Sequence, residues 1–115
     1  MTSVRILLVI LSCLRSHVAS VSVNIGDDVT LQCPLLPFSS MTAVSWYRQR
    51  GAEAPQLLLS YNLTDASLVT FGPGFHDGKV SVRVDRLERH WLLLRRCDVT
   101  DSAVYYCSAA EYIQQ

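Results

Sequence analysis

The sequence predicts an all-β domain, a two-layer sandwich or a barrel, and three observations carry that expectation. Apolar residues alternate with period two in several short runs: Val29/Leu31/Cys33, Val44/Trp46, Val80/Val82/Val84, Leu92/Leu94, and Val104/Tyr106 against Tyr105/Cys107. Successive side chains of a strand point to opposite faces, so such runs read as half-buried strands. Turn chemistry separates them, at Gly26-Asp27-Asp28, Pro34 to Ser40, Gly51, Gly72-Pro73-Gly74, Asp77-Gly78 and Asp85-Arg86. No stretch between these turns sustains helical spacing, and many short strands at roughly even spacing form sandwiches and barrels.

Of the 115 residues, 50% are hydrophobic, and 10 basic side chains balance 10 acidic ones, which fits one globular domain. The first segment reads differently. Arg5 supplies a weak positive n-region, Ile6 to Leu14 an apolar h-region, and Val18-Ala19-Ser20 a small-residue cleavage signal. Residues 1–20 are therefore expected to be a signal peptide cut after Ser20, outside the core, with residues 21–115 as the domain. The apolar run falls short of the roughly 20 residues that a membrane-spanning helix needs. Losing Arg5 and Arg15 leaves acidic residues in slight excess, a net charge of about −2, so no basic surface for nucleic acid or anionic lipid is indicated.

Secretion puts the remaining cysteines in an oxidising compartment. Cys13 leaves with the signal peptide, and Cys33, Cys97 and Cys107 stay. Three is odd, so one is free or pairs with another chain.

Along the domain, Cys33 ends one run, Trp46 lies in the next and Cys107 closes the last, within Trp46-Tyr47-Arg48-Gln49 and Asp101-Ser102-Ala103-Val104-Tyr105-Tyr106-Cys107. This Cys…Trp…Cys order, ending in Asp-x-Ala-x-Tyr-x-Cys, resembles the variable-type (V-set) domain of the immunoglobulin superfamily, a two-sheet Greek-key sandwich. The resemblance implies a Cys33–Cys107 bridge between the sheets with Trp46 packed against it. Closing a loop of roughly 75 residues stabilises by about 4–5 kcal/mol in the chain-entropy model. It also implies a corner tyrosine at Tyr105, core positions at Leu94 and Cys97, and an ion pair between Lys79 and Asp101. Lysine lacks the fork of the arginine usual at that place, so a looser pair is expected.

If Trp46 points inward, Tyr47 and Gln49 point outward, onto the face where variable domains of antigen receptors meet. By the same resemblance Tyr47, Gln49, Pro55, Leu57 and Tyr106 form a patch for pairing with a second V-type domain. Ligand loops are expected around Phe38, Ser39, Ser40 and Met41, around Tyr61 and Asn62, and from Ser108 through Ala109 and Ala110. Asn62-Leu63-Thr64 is also a glycosylation acceptor. Phe71-Gly72-Pro73-Gly74 imitates the Phe-Gly-x-Gly of the family's last strand. It lies more than thirty residues upstream of Cys107, so it reads as a turn, and with no helix after it, not as a phosphate cradle.

Catalysis has little to work with. His76 and His90 stand apart in the sequence and read as solvated loop residues, the carboxylates sit in turns and strand ends, and no Gly-x-Ser-x-Gly occurs. The expectation is a non-enzyme without cofactor or metal, acting by surface recognition outside the cell. The Trp-Tyr-Arg-Gln run, Pro55-Gln56-Leu57-Leu58-Leu59 and Asp-Ser-Ala-Val-Tyr-Tyr-Cys resemble T cell receptor variable segments. That resemblance implies antigen recognition, with peptide on a histocompatibility molecule as ligand and signalling subunits engaged through regions not in this sequence. The alternatives are a non-rearranging V-type domain of an innate receptor or co-receptor, and a secreted adhesion or decoy module. The final strand G, with its Phe-Gly-x-Gly bulge, is missing or incomplete after Cys107. Residues 109–115 are therefore expected to be poorly ordered beside an open sheet edge.

Overall fold

A computed structural model of the chain describes residues 3–11, 16–33 and 41–111. The strands are β1 (Ser3–Leu11), β2 (Ser16–Asn24), β3 (Val29–Cys33), β4 (Met41–Gln49), β5 (Gln56–Asn62), β6 (Asp65–Phe71), β7 (Val80–Val84), β8 (His90–Leu94) and β9 (Ala103–Glu111). A single 3-10 turn at Val99–Asp101 is the only helical element among the described residues. One sheet runs β2-β1-β9-β4-β5-β6 and the other β3-β8-β7.

Alternation decides which side chains meet between the layers. In β8, His90, Leu92 and Leu94 are buried, while Trp91 and Leu93 stand on the other face. Leu92 lies opposite Leu31 of β3 and Val82 of β7, so three strands place apolar groups side by side. The larger sheet answers with Val44, Trp46, Leu58, Leu59, Tyr61 and Tyr105. Each fully buried side chain of this size contributes roughly 1.5–3 kcal/mol. The Cys33–Cys107 disulfide crosses the middle, with a Cα separation of 5.9 Å and a sequence separation of 74. Trp46, fully buried, sits opposite Cys107 in the β4–β9 ladder. Cys97 is free and buried, its amide donating to the Asp27 carbonyl at 2.9 Å.

Two irregularities shape the larger sheet. Between Trp46↔Leu59 and Tyr47↔Leu57 the β4–β5 register skips Leu58. That bulge lets Leu58 and Leu59 both face the core while Leu57 turns outward. After β6, Gly72 passes so close to β5 that a Cβ there would come within 1.8 Å of the Leu57 carbonyl oxygen, so the position admits only glycine. The Phe71-Gly72-Pro73-Gly74 stretch closes β6 and turns, without forming a last strand.

The N-terminal segment, read as a signal peptide, is seen here in the uncut chain. Read as lying outside the core, residues 3–11 instead form β1, between β2 and β9, and Ile6 is fully buried in the core cluster. In the uncut chain this apolar strand satisfies backbone groups along β9 at Ala103–Tyr105. Ala109–Glu111 likewise continue β9 in register with β4 rather than forming a loose tail; residues 112–115 lie outside the described residues.

Candidate functional site

Period two on β4 sends Trp46 inward and Tyr47 outward, and register does the rest. Tyr47 lies opposite Leu57 on β5 and opposite Tyr106 on β9, so Tyr106, Tyr47 and Leu57 form one row across three strands. All three are half-buried, while Pro55 before β5 is exposed. Gln49 is held in place: its Oε1 accepts from the Tyr106 hydroxyl at 3.2 Å and its Nε2 donates to the Glu53 carbonyl at 3.1 Å. The result is a preorganised face, aromatic and aliphatic at its middle, with a fixed amide at its side.

The opposite end of the same strands gathers the loop residues. Ala43 is opposite both Asn62 and Ala110, and Met41 is opposite Glu111, so these positions share one rim. Asn62 is exposed and leads into the Leu63-Thr64 turn, whose Leu63 amide donates to the Thr42 carbonyl at 3.0 Å. Ser108, Ala109 and Ala110 belong to β9, not to a loop, because each stays in register with β4. Phe38, Ser39 and Ser40 lie outside the described residues, and Met41 opens β4.

Tyr61 differs from its expected place on a ligand loop. It is only 3% exposed, and its hydroxyl lies 2.8 Å from Nδ1 of His90, with the rings stacked. His90, expected in solvent, opens β8 and points between the sheets for the same reason: alternation on β8 puts it in phase with Leu92 and Leu94. Burial pushes the Tyr61 hydroxyl up to about 12 and holds the His90 imidazole below its ordinary value. The direction of the Tyr61–His90 bond is set by the tautomer of the imidazole. The buried Trp46 indole N–H lies toward Tyr61 without reaching hydrogen-bond geometry.

Below the face, Asp101 ties the layers together. Lys79 Nζ, just ahead of β7, donates to its Oδ2 at 2.6 Å, closer than a looser lysine pair would sit, and also to the Arg95 and Arg96 carbonyls at 3.0 and 3.3 Å. The Asp98 amide donates to the same oxygen at 2.9 Å. The Tyr105 hydroxyl donates to the Asp101 carbonyl at 2.8 Å, and burial raises its pKa well above the ordinary value. Sequence reasoning missed Arg48, whose guanidinium lies 3.6 Å from Asp101 Oδ1 and 4.8 Å above the Phe75 ring. Its signal was present: two positions after Trp46, it shares the inward phase. Leu94 and Cys97 are buried beside this cluster.

Among the described residues no group of three or more His, Cys, Asp or Glu is placed to hold a metal ion, and no helix is long and apolar enough to cross a membrane.

Comparison with known proteins agrees with this geometry. The profile of the immunoglobulin V-set domain matches residues 18–115. The human protein named "Probable non-functional T cell receptor beta variable 5-3" is 34% identical over 89 residues, covering 72% of this chain and 68% of its own. Human T cell receptor gamma variable 4 is 30% identical over 95 residues, covering 83% and 79%. Among solved structures, a marsupial T cell receptor chain superposes with a TM-score of 0.67 at 23% identity, covering 97% of this chain and 46% of that one. The present sequence thus spans just under half of that receptor chain's length, and the likeness there is one of fold. With the V-set profile, the sandwich and its inter-sheet disulfide in agreement, the chain belongs to the immunoglobulin V-set family, where its relatives are T cell receptor variable segments.

Proposed function

We propose that this domain is the antigen-recognition variable domain of a T-cell-receptor-like chain, with no catalytic role. It pairs with a second V-type domain through Tyr47, Gln49, Pro55, Leu57 and Tyr106, and binds a cell-surface ligand such as peptide on a histocompatibility molecule through the rim that carries Asn62 and Ala110. Residues 1–20 direct it into the secretory pathway and are cut after Ser20, which puts it on the extracellular side. Signalling subunits join through parts beyond this sequence. Asn62, exposed within its Asn-Leu-Thr acceptor, carries a glycan at the edge of the rim.

The row Tyr106–Tyr47–Leu57 carries this reading, because a partner that covers it gains apolar area at little ordering cost: Tyr106 and Gln49 already hold each other. The test is sedimentation of the chain alone and mixed with T cell receptor variable domains of other chain classes. A heterodimer is expected with at least one class, weakened about tenfold or more by Tyr47→Ala, as at a central aromatic anchor. Leu68→Ala, on exposed β6, should leave it unchanged. A chain that stays monomeric with every partner class would overturn the reading and favour a module that works without a paired V domain.

A further inference from the structure

A net charge near zero conceals a segregation of charge along the chain. Residues 79–96 carry 6 basic and 2 acidic side chains, which leaves 4 basic and 8 acidic ones for the rest of the sequence. Lys79 turns inward to Asp101, and the other five are arginines, Arg83, Arg86, Arg89, Arg95 and Arg96, all exposed. The ion pairs among the described residues use Arg48, Arg50, Lys79 and Arg89. Arg83, Arg86, Arg95 and Arg96 therefore present guanidinium groups that no carboxylate among the described residues neutralises.

Strand alternation collects these charges on one surface. On β8, Leu92 and Leu94 face the core, so Trp91 and Leu93 face away, and Arg89 and Arg95 continue that phase at either end. The two arginines bound a track of about 20 Å along the middle strand of the β3-β8-β7 sheet. Arg83 of β7 and Gln32 of β3 flank Trp91, while Ser81 and Thr30 flank Leu93. The indole is fixed, its N–H donating to Asp85 at 3.0 Å and the Arg89 guanidinium lying 5.8 Å from its ring centroid. Asp85 is thus already engaged by its own hairpin. At the far end Asp28 and Asp77 line a hollow of about 420 Å³ with Arg95 and Arg96, and the basic track stops there.

We propose that this outer face binds a linear sulfated polysaccharide, laid along β8 from the Arg86 hairpin to Arg95. Arginine offers a planar fork that holds two oxygens of a sulfate or carboxylate in parallel hydrogen bonds. Between the guanidinium groups stand the Gln32 amide and the Thr30 and Ser81 hydroxyls, which both donate and accept, as the hydroxyls of a sugar require. An extended acidic peptide adds to a sheet edge through backbone groups, whereas here the charge lies on side chains of the face. An anionic membrane would take the hairpin tip, where Leu87 is 69% exposed, and leave Arg95 at the other end of β8 unmatched.

The test is calorimetric binding of the chain to a heparin oligosaccharide at about 0.15 M salt. Binding is expected, weakening about fivefold when the salt is doubled, as three charge contacts require. The double variant Arg83→Gln, Arg95→Gln should bind about tenfold more weakly with its urea midpoint unchanged, because both groups are exposed and unpaired. Arg50→Gln, a charge removed beyond the end of β4 on the other sheet, should change binding by less than about twofold. Absence of binding at that salt, or an equal loss in Arg50→Gln, would overturn the proposal. Equal affinity for desulfated heparin, for poly-glutamate or for phosphatidylserine vesicles would overturn it too, the last two in favour of an acidic protein or a membrane. The pairing test with V domains reads the other sheet, so either reading can fail alone.

Discussion

Two aspartates each collect several donors in this domain, and they do opposite work. Asp101 is 1% exposed and sits where the layers meet, taking Lys79 from the β7 side, Arg48 from β4 and the Asp98 amide ahead of β9. Asp85 closes the β7–β8 hairpin and takes the Leu87 and Arg89 amides at 2.9 Å, Arg89 Nε at 2.7 Å and Trp91 Nε1 at 3.0 Å. All of its partners come from the same hairpin. A buried acid that joins distant segments fixes the fold, while a half-buried one that closes a turn fixes only its neighbourhood.

The largest break in this contrast should come from Asp101→Ala. Removing one member of a buried ion pair costs about 3–5 kcal/mol when the other is left without water. The Lys79 side chain is 27% exposed and can recover some hydration, which puts the expected loss near the lower end, about 3 kcal/mol, in urea unfolding. Tyr105→Phe should follow at about 1–2 kcal/mol, because it leaves the buried Asp101 carbonyl without its donor. If both variants unfold no earlier than Asp85→Asn, the distinction between the two sites collapses.

How far the sequence disclosed these features depends on whether their cause is local. Period-two alternation within a strand made the outward place of Tyr47 legible, and the resemblance carried by the Cys…Trp…Cys order implied the Cys33–Cys107 bridge and the place of Trp46. The β4–β5 bulge was not, since Leu57-Leu58-Leu59 offers no alternation to say which leucine turns outward. His90 and Tyr61 were misplaced for a related reason: a polar side chain at a strand end looks solvated until its partner on another sheet is known. Residues 3–11 were the hardest. Their composition speaks of transport, while their pairing with β9 is a long-range contact that no local pattern announces.

The smallest effect separates the two aspartates by charge alone. Trp91 Nε1 and the Arg89 and Leu87 donors hold the Asp85 carboxyl well below the usual carboxylate range. Burial lowers the His90 pKa, and the Asp85 and Glu88 charges work against that shift. A histidine depressed in the folded state leaves stability whole above its unfolded value of about 6.5 and drains it as pH falls from there through the lower folded value. Asp85→Asn removes one opposing charge. His90 should then titrate lower still by NMR, and the acid loss of stability should extend to lower pH. Asp101→Asn should leave the His90 titration where it was, because Asp101 takes no part in holding it. An equal displacement in both variants would mean that the net charge of the domain, and not the hairpin carboxylate, sets the histidine.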